Sequence, residues 1–135
     1  MNTTATMLQT HPGQIPQSQL EVVAQCLDAC QECAQACTQC ADACLSEQSI
    51  DRLAACIATN LNCADICAGT AQIIGRRTAF NAEVAKAVLT ACETTCRACA
   101  QECDQHAPHH QHCKVCADLC RRCEQACRDL TTQLD

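Results

Sequence analysis

The chain has 135 residues, enough for one domain with a core of its own. Ten Leu, six Ile, five Val and a single Phe (Phe80) make up only about 16% of it, a level that points to disorder or to a core of something other than hydrocarbon. The formal charge of −6 is spread along the chain and the nine Lys and Arg form no basic stripe, so nucleic acid and acidic membrane surfaces are excluded as expected partners.

In place of leucine the chain carries 18 Cys and many Ala, while three Gly and three Pro are too few for a loop-rich disulfide scaffold. Residues 1–17 read as a polar N-terminal tail, broken by Pro12, Gly13 and Pro16, with room for a short helical turn. They lack the basic and apolar regions of a signal peptide, and no run approaches a membrane span. The expectation is a cytoplasmic protein whose thiols are kept reduced.

Nothing interrupts a first long helix over 18–45. The segment SEQSID (46–51) offers hydroxyl and carboxylate caps for a second helix at 50–74. Gly75 then reads as its C-cap, with Arg76 and Arg77 near the negative end of the dipole. Thr78 is placed to cap a third helix running to 106. Ala107-Pro108 ends it, and Pro108 suits the first turn of a fourth helix ending near 134. Four helices of roughly 35–40 Å with short connections predict an all-α protein. Its expected architecture is an antiparallel up-down-up-down four-helix bundle over residues 18–135.

Heptad positions follow from the spacing. The first helix has the seam Val23, Cys26, Cys30, Cys33, Cys37, Cys40, Cys44. The second has Leu53, Cys56, Asn60, Cys63, Cys67, Thr70, Ile74. The third has Ala85, Leu89, Cys92, Cys96, Cys99, Cys103, His106. The fourth has His109, Cys113, Cys116, Cys120, Cys123, Cys127, Leu130, Leu134. All 18 cysteines fall on core seams, which predicts a cysteine-lined core.

A single buried Cys usually acts as a small hydrophobe. Val or Ala would fill 18 such positions with less reactivity, so what these residues share is soft-metal ligation. Cysteines at i,i+4 on a helix point the same way, which is poor disulfide geometry. Structural zinc sites take closed sets of four ligands, whereas this pattern is continuous. Iron–sulfur clusters need wider pockets, usually with ligands on loops. Cu(I) is soft and content with two or three sulfurs, so it fits a row of thiol pairs best. If each ion is held by about two thiolates and each thiolate bridges about two ions, capacity approaches roughly one ion per Cys.

The runs CLDACQECAQACTQCADAC (26–44), CETTCRACAQEC (92–103) and CKVCADLCRRCEQAC (113–127) carry a resemblance to the four-helix-bundle copper storage proteins, in particular their cytosolic branch. The resemblance implies storage of many Cu(I) ions inside each bundle, and a homotetramer of bundles. Helix two departs from the pattern with three cysteines and Asn60 on an intervening seam position. Asn60 can either donate its carbonyl oxygen to copper or hydrogen-bond a thiol.

The two ends of the expected bundle differ. Val23, Ile73, Ile74, Val84, Ala85, Val88, Leu89, Leu130 and Leu134 converge into a hydrophobic plug. Cys44, Leu53, Cys103, His106, His109 and Cys113 lie at the other end. His106 and His109 continue their seams and are expected to face inward as metal ligands. Imidazole binds Cu(I) and is mostly neutral near pH 7, so this end reads as the copper entrance. His110 and His112 are expected to be solvated, and His11, Met1 and Met7 incidental. Asp65 and the acidic residues of the first helix read as outer-face charges.

The expected function is therefore non-enzymatic Cu(I) storage, with a small thiol or another protein as copper donor or acceptor. The alternatives are a general zinc or cadmium buffer and an iron–sulfur electron-transfer protein.

Overall fold

A computed structural model describes residues 2–13 and 15–134; Met1, Gln14 and Asp135 lie outside it. Five α-helices follow in order: α1 (Thr3–Gln9), α2 (Gln17–Leu45), α3 (Ala54–Gly75), α4 (Ala82–His106) and α5 (Gln111–Leu134), with a 3-10 turn at Ile50–Arg52 before α3. There is no strand among the described residues.

The four long helices match the expected ones, but three of their starts differ. The second expected helix was to begin at residue 50 under hydroxyl caps. Residues 50–52 instead form the 3-10 turn, and Leu53 stands at the cap position of α3 with no side-chain cap bond. Leu53 is fully buried, so burial of its side chain sets where the chain turns into α3. Thr78 does not cap α4. Asn81 does, its Oδ1 accepting from the backbone N–H of Glu83 and Val84 at 3.0 and 3.2 Å, and asparagine ranks above threonine in that role. Ala79 just before it adopts a left-handed φ of 54°, which makes the reversal. The last helix begins at Gln111 rather than at Pro108, because residues 107–110 form the turn between α4 and α5. His109 and His110 both donate backbone N–H to the carbonyl of His106 within that turn.

Gly75 does not cap α3 as expected: it is the last residue of the helix without a left-handed φ, and Arg76 holds the cap position in extended backbone, which ends the helix with no need of a glycine there. The Arg77 guanidinium donates to the Ile74 carbonyl at 3.0 Å and lies 4.0 Å over the Phe80 ring.

Each long helix packs against two others: α2 on α3 and α5, and α4 on the same two. Ion pairs join the outer faces. Arg97 reaches Glu124 at 3.1 Å and Arg128 reaches Glu93 at 3.0 Å, both between α4 and α5. Arg121 pairs with Asp104, and Arg122 with Glu32 of α2. Exposed pairs of this kind contribute about 0–1 kcal/mol each, so they tune the packing rather than drive it. The N-terminal segment is more ordered than a polar tail requires. Asn2 caps α1 by accepting from Ala5 N–H at 2.9 Å, and Leu8 is buried where α1 lies on α2.

Candidate metal centre

The core runs between the four long helices and is made largely of sulfur. All 18 cysteines are buried and free. Helical spacing accounts for this, since residues three and four apart share a face, and that face is the one each helix buries. Sulfurs of α2 and α5 meet in sequence: Cys30–Cys123 at 3.6 Å, Cys33–Cys120 and Cys37–Cys116 at 3.7 Å, and Cys40–Cys113 at 3.9 Å. Those of α3 and α4 do the same, with Cys67–Cys92 and Cys63–Cys96 at 3.8 Å and Cys56–Cys103 at 3.9 Å. Cys63 stands 4.0 Å from both Cys33 and Cys120, and Cys67 stands 3.9 Å from Cys123, which joins the two rows.

Groups of four sulfurs lie within 4.8 Å of one another, among them Cys33, Cys37, Cys63 and Cys120; Cys33, Cys63, Cys67 and Cys96; Cys37, Cys99, Cys116 and Cys120; and Cys40, Cys44, Cys56 and Cys113. Metal–thiolate bonds of about 2.3 Å set tetrahedral sulfur–sulfur distances near 3.8 Å, so the thiols already stand at ligating distance. The groups also overlap. Cys33 and Cys63 belong to two of them, as do Cys37 and Cys120. Closed four-thiolate sites use each sulfur once, whereas bridging thiolates use it repeatedly. This overlap is the property that decides what the core can do.

Thiol hydrogen bonds and burial set the acidities. Neighbouring thiols, Cys127 first at Cys26 and Cys103 first at Cys40, pull each of these two groups down to about 5. Burial pushes Cys44 up to about 12 and raises Cys113. Asn60, fully buried on α3, serves this network. Its Oδ1 accepts from Cys99 at 3.1 Å, Cys103 at 3.3 Å and Cys116 at 3.5 Å, and its Nδ2 donates to Cys56 at 3.8 Å.

The ends of the column differ as expected in kind but not in every residue. Val23, Ile74, Ala85, Leu89 and Leu130 are buried at the plug. Ile73, Val88 and Leu134 are half-buried there, while Val84 is exposed. Gln19 Nε2 donates to the Gln133 carbonyl at 3.4 Å, tying the start of α2 to the end of α5. At the other end His106 is half-buried and bonds Glu102 at 3.0 Å.

His109 does not face inward with the thiols. It is exposed in the turn before α5, because the helical spacing used to place it begins only at residue 111. His112, expected in solvent, meets the core instead. Its Nδ1 is 3.4 Å from Cys40 Sγ and 3.6 Å from Cys113 Sγ, and its Nε2 is 2.8 Å from Glu47. One residue before Cys113, it flanks the seam on the side of α2, a position that i,i+3 and i,i+4 spacing from Cys113 does not pick out. Glu47 carried no signal in the sequence, since it lies in the α2–α3 connection.

The sequence model of the copper storage proteins matches residues 19–132. The chain belongs to the copper storage protein family. Among relatives of known structure, the copper storage protein Ccsp of Streptomyces lividans, loaded with 10 copper equivalents, superimposes with a TM-score of 0.94 at 48% identity, covering 96% of this chain and 98% of that one. A second structure of that protein, described as a cytosolic copper storage protein carrying five coppers, gives 0.82 at 53% identity over 83% and 93% of the two chains. The Cu(I)-bound copper storage protein BsCsp3 gives 0.70 at 35% identity over 78% and 94%. The cysteine-rich protein YhjQ of Bacillus subtilis is 35% identical over 105 residues, or 78% of this chain and 92% of that protein. The buried thiol groups of this chain's core could hold metal ions. No helix among the described residues is long and apolar enough to cross a membrane.

Proposed function

We propose that α2, α3, α4 and α5 form an antiparallel up-down-up-down bundle that stores many Cu(I) ions, without catalysis, in the cytosol. The falling order of sulfur partners supports the topology: Cys30, Cys33, Cys37 and Cys40 of α2 meet Cys123, Cys120, Cys116 and Cys113 of α5. The observation that carries the function is the overlap of the four-thiol groups, because thiolates bridging two ions each allow a chain of Cu(I) to fill the column. The ligands in this reading are the 18 cysteines, with Asn60 beside them and His106 and His112 at the open end. Residues 18–135 form the storage domain and 1–17 an appended segment. Homotetramers of such bundles and a thiol or protein copper donor complete the reading, which rests there on family likeness.

Copper enters at the end that holds Cys40, Cys44, Cys113 and His112 and moves inward by thiolate exchange. Thiols lose their protons on binding, so affinity falls in acid. A zinc or cadmium buffer is the second reading, favoured by sulfur spacings that suit tetrahedral sites. Anaerobic Cu(I) titration against a chromophoric chelator separates the two. Well over about ten ions per chain would exclude closed sites, and saturation at about four or fewer, the number of closed four-thiolate sites that 18 cysteines can form, would reject storage.

A further inference from the structure

Glu47 stands outside the thiol column, in the connection between α2 and the 3-10 turn, yet it touches His110 of the opposite connection and His112 in the first turn of α5. A single carboxylate oxygen, Oε2, lies 2.8 Å from Nε2 of His112 and 3.0 Å from Nδ1 of His110. The two rings are stacked, with centroids 5.5 Å apart and planes 24° from parallel. A carboxylate only accepts, and a neutral imidazole has one N–H and one lone pair. The nitrogen that faces Glu47 must therefore carry the proton, and it is a different nitrogen in each ring. In its neutral form His112 is then left with its lone pair on Nδ1, the atom 3.4 Å from Cys40 Sγ and 3.6 Å from Cys113 Sγ.

We propose that Glu47 is a positioning residue for the mouth of the column: it holds His112 as the Nε2–H tautomer and His110 as the Nδ1–H tautomer, so that a soft ligand nitrogen faces Cys40 and Cys113 before any metal arrives. The value of that arrangement to copper rests on the reading of this end as the entrance. A carboxylate on the far nitrogen of a ligating imidazole fixes ring and tautomer together and raises ligand basicity, and its removal typically weakens a site ten- to a hundredfold. Without Glu47, His112 is free to turn a protonated nitrogen toward the thiols. The same oxygen also ties the α2–α3 connection to the α4–α5 turn, which keeps both sides of the rim in register.

The test begins without copper. Full-length reduced protein labelled with nitrogen-15 in histidine, at about pH 8 and so above the ordinary imidazole range, reports each tautomer by long-range proton–nitrogen correlation. The expected result is Nε2–H for His112 and Nδ1–H for His110 in the wild type. Glu47→Gln, which keeps an accepting oxygen, retains that pattern and Glu47→Ala loses it. The Glu47 side chain is 31% exposed, and far-UV circular dichroism checks that both variants keep the fold. The same tautomer in both rings, a ring still doubly protonated at that pH, or an unchanged pattern in Glu47→Ala overturns the proposal.

Stopped-flow Cu(I) uptake then links this to the entrance. Glu47→Ala slows the first phase roughly tenfold, Glu47→Gln stays near wild type, and final capacity is unchanged in both. Lost tautomers with unchanged uptake leave the role of Glu47 standing and remove the entrance reading. Slowed uptake with intact tautomers removes the role of Glu47 and keeps the entrance.

Discussion

The two ends of the thiol column solve different problems. At one end Val23, Ile74, Leu89 and Leu130 are 0–1% exposed, and their burial stabilises the fold whatever the metal content. At the other, His112 meets Cys40 and Cys113, and His106, His110 and His112 are tied to Glu102 and Glu47. Hydrocarbon stabilises the apo fold at about 25 cal/mol per Å² buried, while thiols and imidazoles hold lone pairs ready for a soft ion. We read the contrast as stability at the apolar end and chemistry at the histidine end, proposed above as the open one, with the column between them serving both.

The sharpest way to break that division is to weaken the closed end. Leu89→Ala is expected to cost the apo protein about 2–5 kcal/mol, measured by denaturant unfolding under reducing conditions, while folded protein still takes up its full complement of Cu(I). A loss below about 1 kcal/mol would mean that the plug does not carry the fold.

Asn60→Ala probes the column itself. It removes the acceptor shared by Cys99, Cys103 and Cys116, and a buried group left without its partner costs about 1–3 kcal/mol. The same unfolding measurement should show a loss smaller than that of Leu89→Ala.

The open end should respond least in stability and most to pH. Glu47 is held below its ordinary value, first by its hydrogen bond from His112, so its contribution is present above that ordinary value and disappears as pH falls through the lowered one. Burial works against protonation of His112, but its bonds to Cys40 and Glu47 outweigh this and raise it. Its contribution is present below the ordinary imidazole value and fades as pH rises through the raised one. Glu47→Gln should therefore lower the apo unfolding midpoint slightly at about pH 5.5 and less at about pH 9. An equal shift at both values would show that the pair is not electrostatically coupled.

Most of this arrangement was legible in the spacing of the cysteines. Period and seam are geometric properties of a helix, so the inward face of each helix, the burial of all 18 thiols and the apolar plug followed from counting. Features set by tertiary contact were not legible. Leu53 fixes the start of α3 by being buried, and Asn81 outranks Thr78 because the chain reverses at Ala79. Leu8 is buried because α1 folds back on α2, which no local pattern announces. The histidines show the limit most clearly. His109 was placed by extending a helix through a turn, whereas His112 reaches Cys40 across two elements. Glu47 joins two connections far apart in sequence, and only the fold brings them together.

The central claim is that Cu(I) fills the space between the thiols from end to end. Anomalous diffraction at the copper edge, from crystals of protein loaded anaerobically to saturation, tests it directly. The account predicts more than about ten copper positions running from the group at Cys40, Cys44, Cys56 and Cys113 to the group at Cys30, Cys92, Cys123 and Cys127, with none among Val23, Ile74, Leu89 and Leu130. Copper confined to a few separate four-thiolate sites, or bound to the outer carboxylates, would contradict it.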